Sequence, residues 1–310
     1  MQTYQIEIDR QNAKSRMVSV TLLQSLLRVL VEGSKGALRL RTEGRSTIRG
    51  TPPKWIKAAT QFALELQGNQ LRVDSPTLSE ATPELFQKSD WFPELNSEWT
   101  SLDYFQESLT ATLNKEMADS LYDKPLLHIF QGFRHVFNQG ANQIILLNGN
   151  GKPITPETLS VFKGLEGSLP SPGQVKVVGV LEVIRIHDRT FKLITTPNEH
   201  VIKGITQPIN QKEAQGLLNK EVLVSGIGYF TTSGKVLRIE AEHISVAGEQ
   251  ERALWEKLPI PIPYQSKPNE LPNELLVKSV PQTDDKVIVG EQKPDIENDE
   301  EIAKWVERLP

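Results

Sequence analysis

The chain has 310 residues, of which 38% are hydrophobic and 24% charged, and it contains no cysteine. This composition is ordinary for a globular protein, and the length allows two compact domains and a tail. The absence of cysteine excludes disulfides, a thiolate nucleophile and cysteine-ligated zinc or iron–sulfur sites. No run approaches the roughly 18 apolar residues of a membrane span, and residues 1–14 are too polar for a secretory leader. We therefore expect a cytoplasmic protein that does not bind membranes.

Charge is distributed unevenly along the chain. Residues 249–310 carry 14 acidic and 8 basic side chains, whereas the preceding residues carry 25 acidic and 27 basic ones. The same C-terminal stretch holds 8 of the 20 prolines and a single glycine. A segment of this composition cannot bury enough apolar surface to offset the entropy lost on ordering. The sequence therefore predicts a disordered acidic tail, which either meets a basic partner or stays solvated.

Residues 1–75 have the pattern of a small α/β unit. The spacing of apolar residues predicts a first strand, a helix that ends at Gly33 or Gly36, and a second strand over residues 37–42. A second helix then carries an apolar stripe that includes Leu66, and a short strand completes the unit.

Residues 76–163 are predicted to be mainly helical. Thr100 and Asp103 have the spacing of a capping box at the start of one helix, and a second apolar helix and a strand follow. Residues 1–163 together are expected to form an α+β head. Residues 164–173, rich in glycine, serine and proline, have the composition of a linker.

Residues 174–248 contain the best-defined pattern in the chain. Three strands, a short helix and two further strands follow one another, and the long first strand has Gly179 at its middle. In an OB-type barrel the first strand bends across both sheets, and a glycine relieves crowding at the bend. We predict an OB-like five-stranded small β-barrel, with a different five-stranded small barrel as the alternative. The predicted fold class is α+β: an N-terminal α/β-helical head, this barrel, and the disordered acidic C-terminal tail.

The sequence contains no common catalytic or metal-binding motif. The five histidines lie on different predicted elements without metal-ligand spacing. Residues 149–152 superficially resemble a phosphate loop, but the earlier glycine is missing and Pro153 stands where Ser or Thr would bind magnesium. We expect no metal and no cofactor. The sequence favours a non-enzymatic protein, although an enzyme whose site is assembled from distant residues remains a third hypothesis.

Basic residues indicate one candidate binding site. Four arginines lie on the predicted second strand and the loop after it. They either contact phosphates or are charged residues of a solvated edge strand, where they prevent pairing with other chains. Strands two and three of the barrel add one aromatic and two basic residues, the types with which OB barrels bind single-stranded nucleic acid. The candidate nucleic-acid-binding residues are Arg39, Arg41, Arg45, Arg49, Phe191, Lys192 and Lys203.

The C-terminal tail carries the second candidate site. Its candidate partner-binding residues are Ile302, Trp305, Val306, Leu309 and Trp255. The first four fall at i, i+3, i+4 and i+7, and acidic residues precede them, as is favourable at a helix N-terminus. The sequence therefore predicts a short amphipathic helix near residues 299–309. A helix of this length is not stable alone in water, so we expect it to fold against a partner.

This layout resembles that of antitoxins, whose acidic C-terminal arms fold onto a toxin, and the resemblance is confined to the tail. The leading hypothesis is a non-enzymatic binding or regulatory protein that docks an unidentified protein partner through this arm. The alternative hypothesis is a protein that binds single-stranded nucleic acid through the barrel and the arginines.

Overall fold

The structure is a computed structural model, and it describes residues 1–10, 18–87, 94–115, 121–146, 152–195 and 200–248. The acidic tail, with Trp255 and the four stripe residues near its end, lies outside the described residues. Residues 149–151 of the loop that resembles a phosphate loop lie outside them as well.

The head is built on a four-stranded sheet. Its strands are β1 (Gln2–Arg10), β2 (Ala63–Gln67), β3 (Gln70–Ser75) and β4 (Ala141–Leu146). They lie in the order β2–β3–β1–β4, and all neighbours are antiparallel. In β1 the predicted alternation is present, because Tyr4, Ile6 and Ile8 are buried and the residues between them are polar. These three side chains belong to the main hydrophobic core, which the helices complete.

The helices of the head complete this core and also pack on one another. Within the described residues they are α1 (Val20–Glu43), α2 (Lys54–Ala59), α3 (Leu78–Ala81), α4 (Pro83–Gln87), α5 (Ser101–Leu113), α6 (Lys124–Gln131), α7 (Phe133–Asn138) and α8 (Thr158–Ser168). α5 begins with the predicted capping box of Thr100 and Asp103. Phe105 of α5 packs edge-to-face on Phe130 of α6, with ring centroids 5.7 Å apart. The phenylalanines of successive helices thus form the centre of the head.

α1 corrects the sequence prediction. It runs for 24 residues without interruption, so the helix does not end at Gly33 or Gly36, and residues 37–42 are helical rather than a strand. Leu38 and Leu40 produced the alternating pattern, and both are fully buried. A helix that is buried on several sides has no single apolar stripe, and such a stripe is the feature by which a helix is recognised from sequence.

The glycines inside α1 allow close packing. A Cβ on Gly33 would lie 2.5 Å from the ring of Phe105, and one on Gly36 would lie 3.0 Å from the side chain of Leu126. Both glycines therefore let neighbouring helices approach the α1 backbone. The helix ends instead at Gly44, whose φ of 71° is in the left-handed region that favours glycine.

Two other boundaries differ from the prediction. Leu66, which was expected on a helical stripe, lies in β2, because α2 ends early and the chain forms a hairpin with β3. α8 extends to Ser168, so that helix occupies the first half of residues 164–173, where a linker was expected.

Residues 173–246 form a closed five-stranded barrel. Its elements are β5 (Gly173–Arg185), β6 (Thr190–Thr195), β7 (His200–Thr206), α9 (Gln211–Leu217), β8 (Glu221–Phe230) and β9 (Val236–Val246). The strands follow one another around the barrel as β5–β6–β7–β9–β8, and β7 and β9 run parallel. The prediction of an α+β chain with a five-stranded barrel is thus confirmed. None of the helices in the described ranges combines the length and apolarity needed to cross a membrane.

Two glycines shape the barrel interior. Gly179 lies at the point where β5 pairs with both β6 and β8, and a Cβ there would lie 2.4 Å from the carbonyl oxygen of Ile194. Gly204 lies beneath the ring of Phe191. A Cβ added at Gly204 would lie 1.9 Å from an atom of that ring. Because Phe191 is only 2% exposed, its ring has no free space into which it can move.

We predict that Gly204→Ala lowers the free energy of unfolding by about 1–3 kcal/mol through overpacking. The matched control is Gly164→Ala in α8, where an added Cβ meets no atom within 4 Å. This second change should stabilise the chain by about 0.5–1 kcal/mol, because alanine favours helix over glycine. Urea denaturation followed by circular dichroism measures both. A Gly204→Ala variant as stable as the wild type would contradict the packing argument.

Candidate functional site

The head and the barrel meet along a row of three cations on the outer face of the barrel. Lys192 of β6 is the register partner of Lys203 in β7, and Lys203 is the register partner of Arg238 in β9. Register partners project from the same face of a sheet, so the three side chains lie side by side. We call these residues the cation row. All three contact the head: Lys192 pairs with Glu94, and Lys203 and Arg238 contact the end of α1.

The middle and last members of the cation row cap the C-terminal end of α1. Lys203 Nζ donates a hydrogen bond to the carbonyl oxygen of Arg41, and the Arg238 guanidinium donates one to the carbonyl oxygen of Gly44 at 3.4 Å. The last carbonyls of a helix have no partner inside the helix and carry its negative partial charge. Glycine is required at position 44, because a Cβ there would lie 3.0 Å from Cβ of Arg238 and 3.2 Å from Cβ of Lys203.

A buried carboxylate joins three elements at the same junction. Asp123 accepts hydrogen bonds from the backbone N–H of Ser46, just after α1, and from the N–H of Leu126 at the start of α6, both at 2.9 Å. The Ser46 hydroxyl also donates a hydrogen bond to Asp123, at 2.5 Å, and the Arg238 guanidinium lies 4.0 Å away, with its carbon 3.5 Å from the centroid of the Tyr229 ring. Asp123 therefore caps α6 and also holds this helix against the end of α1 and against β9.

The first member of the cation row pairs with a carboxylate of the head. Lys192 Nζ lies 3.1 Å from a carboxylate oxygen of Glu94. Burial lowers the pKa of the neighbouring Lys203 to about 8; the Glu94 carboxylate opposes this shift, and the charges of Lys192 and Arg41 add to it. The amine of Lys203 therefore loses its proton at mildly basic pH.

Arg41, a candidate for nucleic-acid binding, is committed to contacts inside the head. Its guanidinium forms an ion pair of 2.6 Å with Glu107, donates to the hydroxyl of Ser108 at 3.1 Å, and lies 5.0 Å from the centroid of the Tyr104 ring. Burial lowers its pKa, and Glu107 opposes that shift.

The other candidates for nucleic-acid binding are placed differently from one another. Arg39 is 5% exposed, and its Nε and Nη2 atoms have no hydrogen-bond partner among the described residues. Arg45 pairs with Glu43 at 3.0 Å, and Phe191 packs inside the barrel. Arg49 lies in an exposed loop after α1. The structure therefore brings Arg41, Lys192 and Lys203 together, but their polar groups face internal partners.

Three junction residues were missed by sequence reasoning: Glu94, Asp123 and Arg238. Glu94 and Lys192 are 98 residues apart, and Gly44 and Arg238 are 194 apart, so no local pattern connects them. Asp123 does have a sequence signal, since it precedes a lysine, a proline and an apolar run, as N-cap residues commonly do.

The N-terminal half of α1 carries a shallow apolar groove on its outer side. The groove is lined mainly by Val20, Leu23, Leu27 and Val31, and its volume is about 500 Å³. Within the described part of the chain, no group of three or more His, Cys, Asp and Glu side chains is arranged to hold a metal ion.

Comparison with known proteins gives no relative: no family model, no curated protein and no solved structure matches the chain. Functional inference therefore depends on the residues of this chain alone.

The pKa of Lys203 is about 8 in the folded chain, against 10.5 for free lysine. We predict that between these two pH values the free energy of unfolding of the wild type rises relative to that of Lys203→Met. In this window the unfolded chain still binds a proton that the folded chain has released, so the folded state gains stability as pH rises, by at most ~3 kcal/mol. Urea denaturation at a series of pH values measures the difference. Lys212→Met, at an exposed position of α9, is the control. Parallel curves for the wild type and Lys203→Met would refute the assignment.

We also predict that Asp123→Ala destabilises the chain by about 2–4 kcal/mol, because it leaves the N–H groups of Ser46 and Leu126 without their acceptor and removes the N-cap of α6. Glu182→Ala, at an exposed position of β5, should change stability by less than about 0.5 kcal/mol. Thermal and urea denaturation test both variants. If the two substitutions have equal effects, Asp123 does not hold the junction together.

Proposed function

We propose that this chain is a cytoplasmic, non-enzymatic binding and regulatory protein that docks a protein partner through its acidic C-terminal arm, antitoxin- or inhibitor-like in layout. The observation that carries the proposal is the helical spacing of Ile302, Trp305, Val306 and Leu309 in the sequence. Such a stripe is covered when an amphipathic helix enters a groove on another protein. Trp255, at the start of the arm, is a second contact.

The charge of the arm defines the chemistry of the partner. Residues 249–310 carry 14 acidic and 8 basic side chains. The partner therefore offers an apolar groove for the stripe and a basic surface around it, which accelerates association and discriminates against acidic proteins. Ordering the arm on binding reduces the net affinity, as in other cases of coupled folding and binding.

The placement of the barrel cations supports a scaffolding role for the head and the barrel. Lys192, Lys203 and Arg238 all contact the head, so the face of the barrel that carries them is used to hold the two halves together. We infer that the barrel is of the OB type. Its support is the order of three strands, a helix and two strands, with a long first strand bent at Gly179.

Single-stranded nucleic acid is the alternative partner, and the exposed Arg49 is the observation in its favour. Against it, Phe191 packs in the barrel interior, where it cannot stack on a base, and Lys192 is paired with Glu94. Filter binding of single-stranded DNA at low salt separates the two proposals. Binding that falls on Arg49→Ala would favour the alternative.

We predict that Trp305→Ala weakens partner binding by at least about ten-fold, since a buried tryptophan is a typical energetic centre of an interface. The matched control is Lys304→Ala with Glu307→Ala, which changes the opposite face of the same predicted helix and should alter affinity by less than about three-fold. Partners are recovered with the tagged full-length chain, and affinity is then measured with the purified partner. Recovery of the same proteins with equal affinity by a chain that lacks residues 290–310 would overturn the proposal.

A further inference from the structure

The edge strand β2 leaves part of the apolar face of the head sheet uncovered. All five residues of β2 are exposed. Leu66 lies opposite Leu71 of β3, and Leu64 lies opposite Val73, so these leucines extend two buried rows of the sheet. Leu71 and Val73 are 1% and 0% exposed, whereas Leu66 and Leu64 are 40% and 45% exposed. The helical layer therefore stops one strand short of the sheet edge.

The backbone of the same edge is open to pairing. β2 and β3 are joined by a two-residue turn, so the pair Gln67 and Gln70 that closes the hairpin is hydrogen-bonded. Hydrogen-bonded pairs recur at every second residue, which turns the N–H and C=O groups of Leu64 and Leu66 towards the outer side. Neither residue has an outward hydrogen bond to any described part of the chain.

The solvent-facing side of this edge is acidic. Glu65 lies between the two leucines and points to the opposite face, with its side chain 54% exposed. Its carboxylate accepts a hydrogen bond from the side chain of Gln67 at 2.9 Å and lies 3.8 Å from Arg72, which makes a closer contact of 3.2 Å with Asp74. An exposed ion pair of this length is weak, so Glu65 can pair with an additional cation.

We propose that β2 accepts an added antiparallel strand from a partner protein in which apolar and basic residues alternate. The apolar side chains cover Leu64 and Leu66, the backbone completes the outward hydrogen bonds, and a basic side chain pairs with Glu65. The antiparallel direction continues that of every neighbouring pair in this sheet. This surface is separate from the C-terminal arm and does not depend on the function proposed for it.

A second copy of the chain fits this edge less well. Antiparallel pairing of Leu64 with Leu66 of the copy places Glu65 directly opposite Glu65, and like charges in that position are destabilising. Charge complementarity therefore favours a basic strand from a different protein.

The test uses a capped, fluorescein-labelled heptapeptide, Thr-Val-Lys-Val-Lys-Val-Thr, titrated with the full-length chain by fluorescence anisotropy. A second peptide has glutamate in place of both lysines. The lysine peptide should bind at least about ten-fold more tightly than the glutamate peptide. Glu65→Lys should reverse this preference, and Glu182→Lys, at an exposed position of the barrel, should leave it unchanged.

Two modified peptides test the backbone contacts. The valines face the leucines of β2 in hydrogen-bonded pairs, so N-methylation of the central valine should abolish binding. The lysine N–H groups point away from β2, and N-methylation there should change affinity by less than about three-fold.

Three results would overturn the proposal. The first is no binding of the lysine peptide at protein concentrations up to about 1 mM, the weak limit for a small interface. The second is equal affinity for the two charged peptides, or an equal loss on either N-methylation. The third is a dimer in sedimentation equilibrium that Leu64→Lys dissociates, because it would assign the edge to a second copy of the chain.

Discussion

The last carbonyl groups of a helix that ends inside a protein need hydrogen-bond donors from elsewhere in the structure. For α1, residues of the barrel provide these donors. Lys203 and Arg238, which are 162 and 194 residues from the carbonyls that they contact, supply the hydrogen bonds. Gly44 allows this approach, because any side chain there would meet Cβ of both cations. The same few contacts determine where the helix ends and which face of the barrel turns towards the head.

Most of the charged side chains that are buried at this junction lie beside a side chain of opposite charge. Arg41 has Glu107, Lys192 has Glu94, and Arg238 lies near Asp123 and Glu240. A charge that leaves water without a partner costs several kcal/mol, whereas a paired and hydrogen-bonded one is tolerated and penalises alternative arrangements. Some buried polar atoms have no hydrogen-bond partner among the described residues, including Nε and Nη2 of Arg39, Oε1 of Glu94 and Nε of Arg238, and nothing in the described structure explains the two nitrogens of Arg39.

Local sequence signals predicted the elements whose cause is local. The alternation in β1, the capping box of α5 and the succession of three strands, a helix and two strands in the barrel segment are each read from neighbouring residues, and all are present. The second half of α1 was missed because burial on several sides removed its stripe, and because Gly33 and Gly36 serve packing instead of termination. Internal glycines have either meaning, and only the neighbouring helices decide between them.

At the candidate site, too, contacts between residues that are far apart in the sequence could not be predicted from local patterns. Lys192 and Lys203 were selected as basic residues on strands two and three of the predicted barrel, and the structure places them side by side. Their partners, Glu94 and the end of α1, belong to the head, and no spacing rule connects residues so far apart in sequence. Sequence therefore identified the cations, and tertiary structure determined what they contact.

The parallel pairing of β7 with β9 has a consequence for the order of folding. Lys203 and Arg238 become neighbours only when these two strands join, and their contact spans residues 203–206 and 238–241. The surface that caps α1 therefore does not exist until the barrel has closed. Contacts between such distant segments form slowly, because a long loop must be ordered first. The longest helix described in the head thus acquires its final hydrogen bonds only after the barrel has closed.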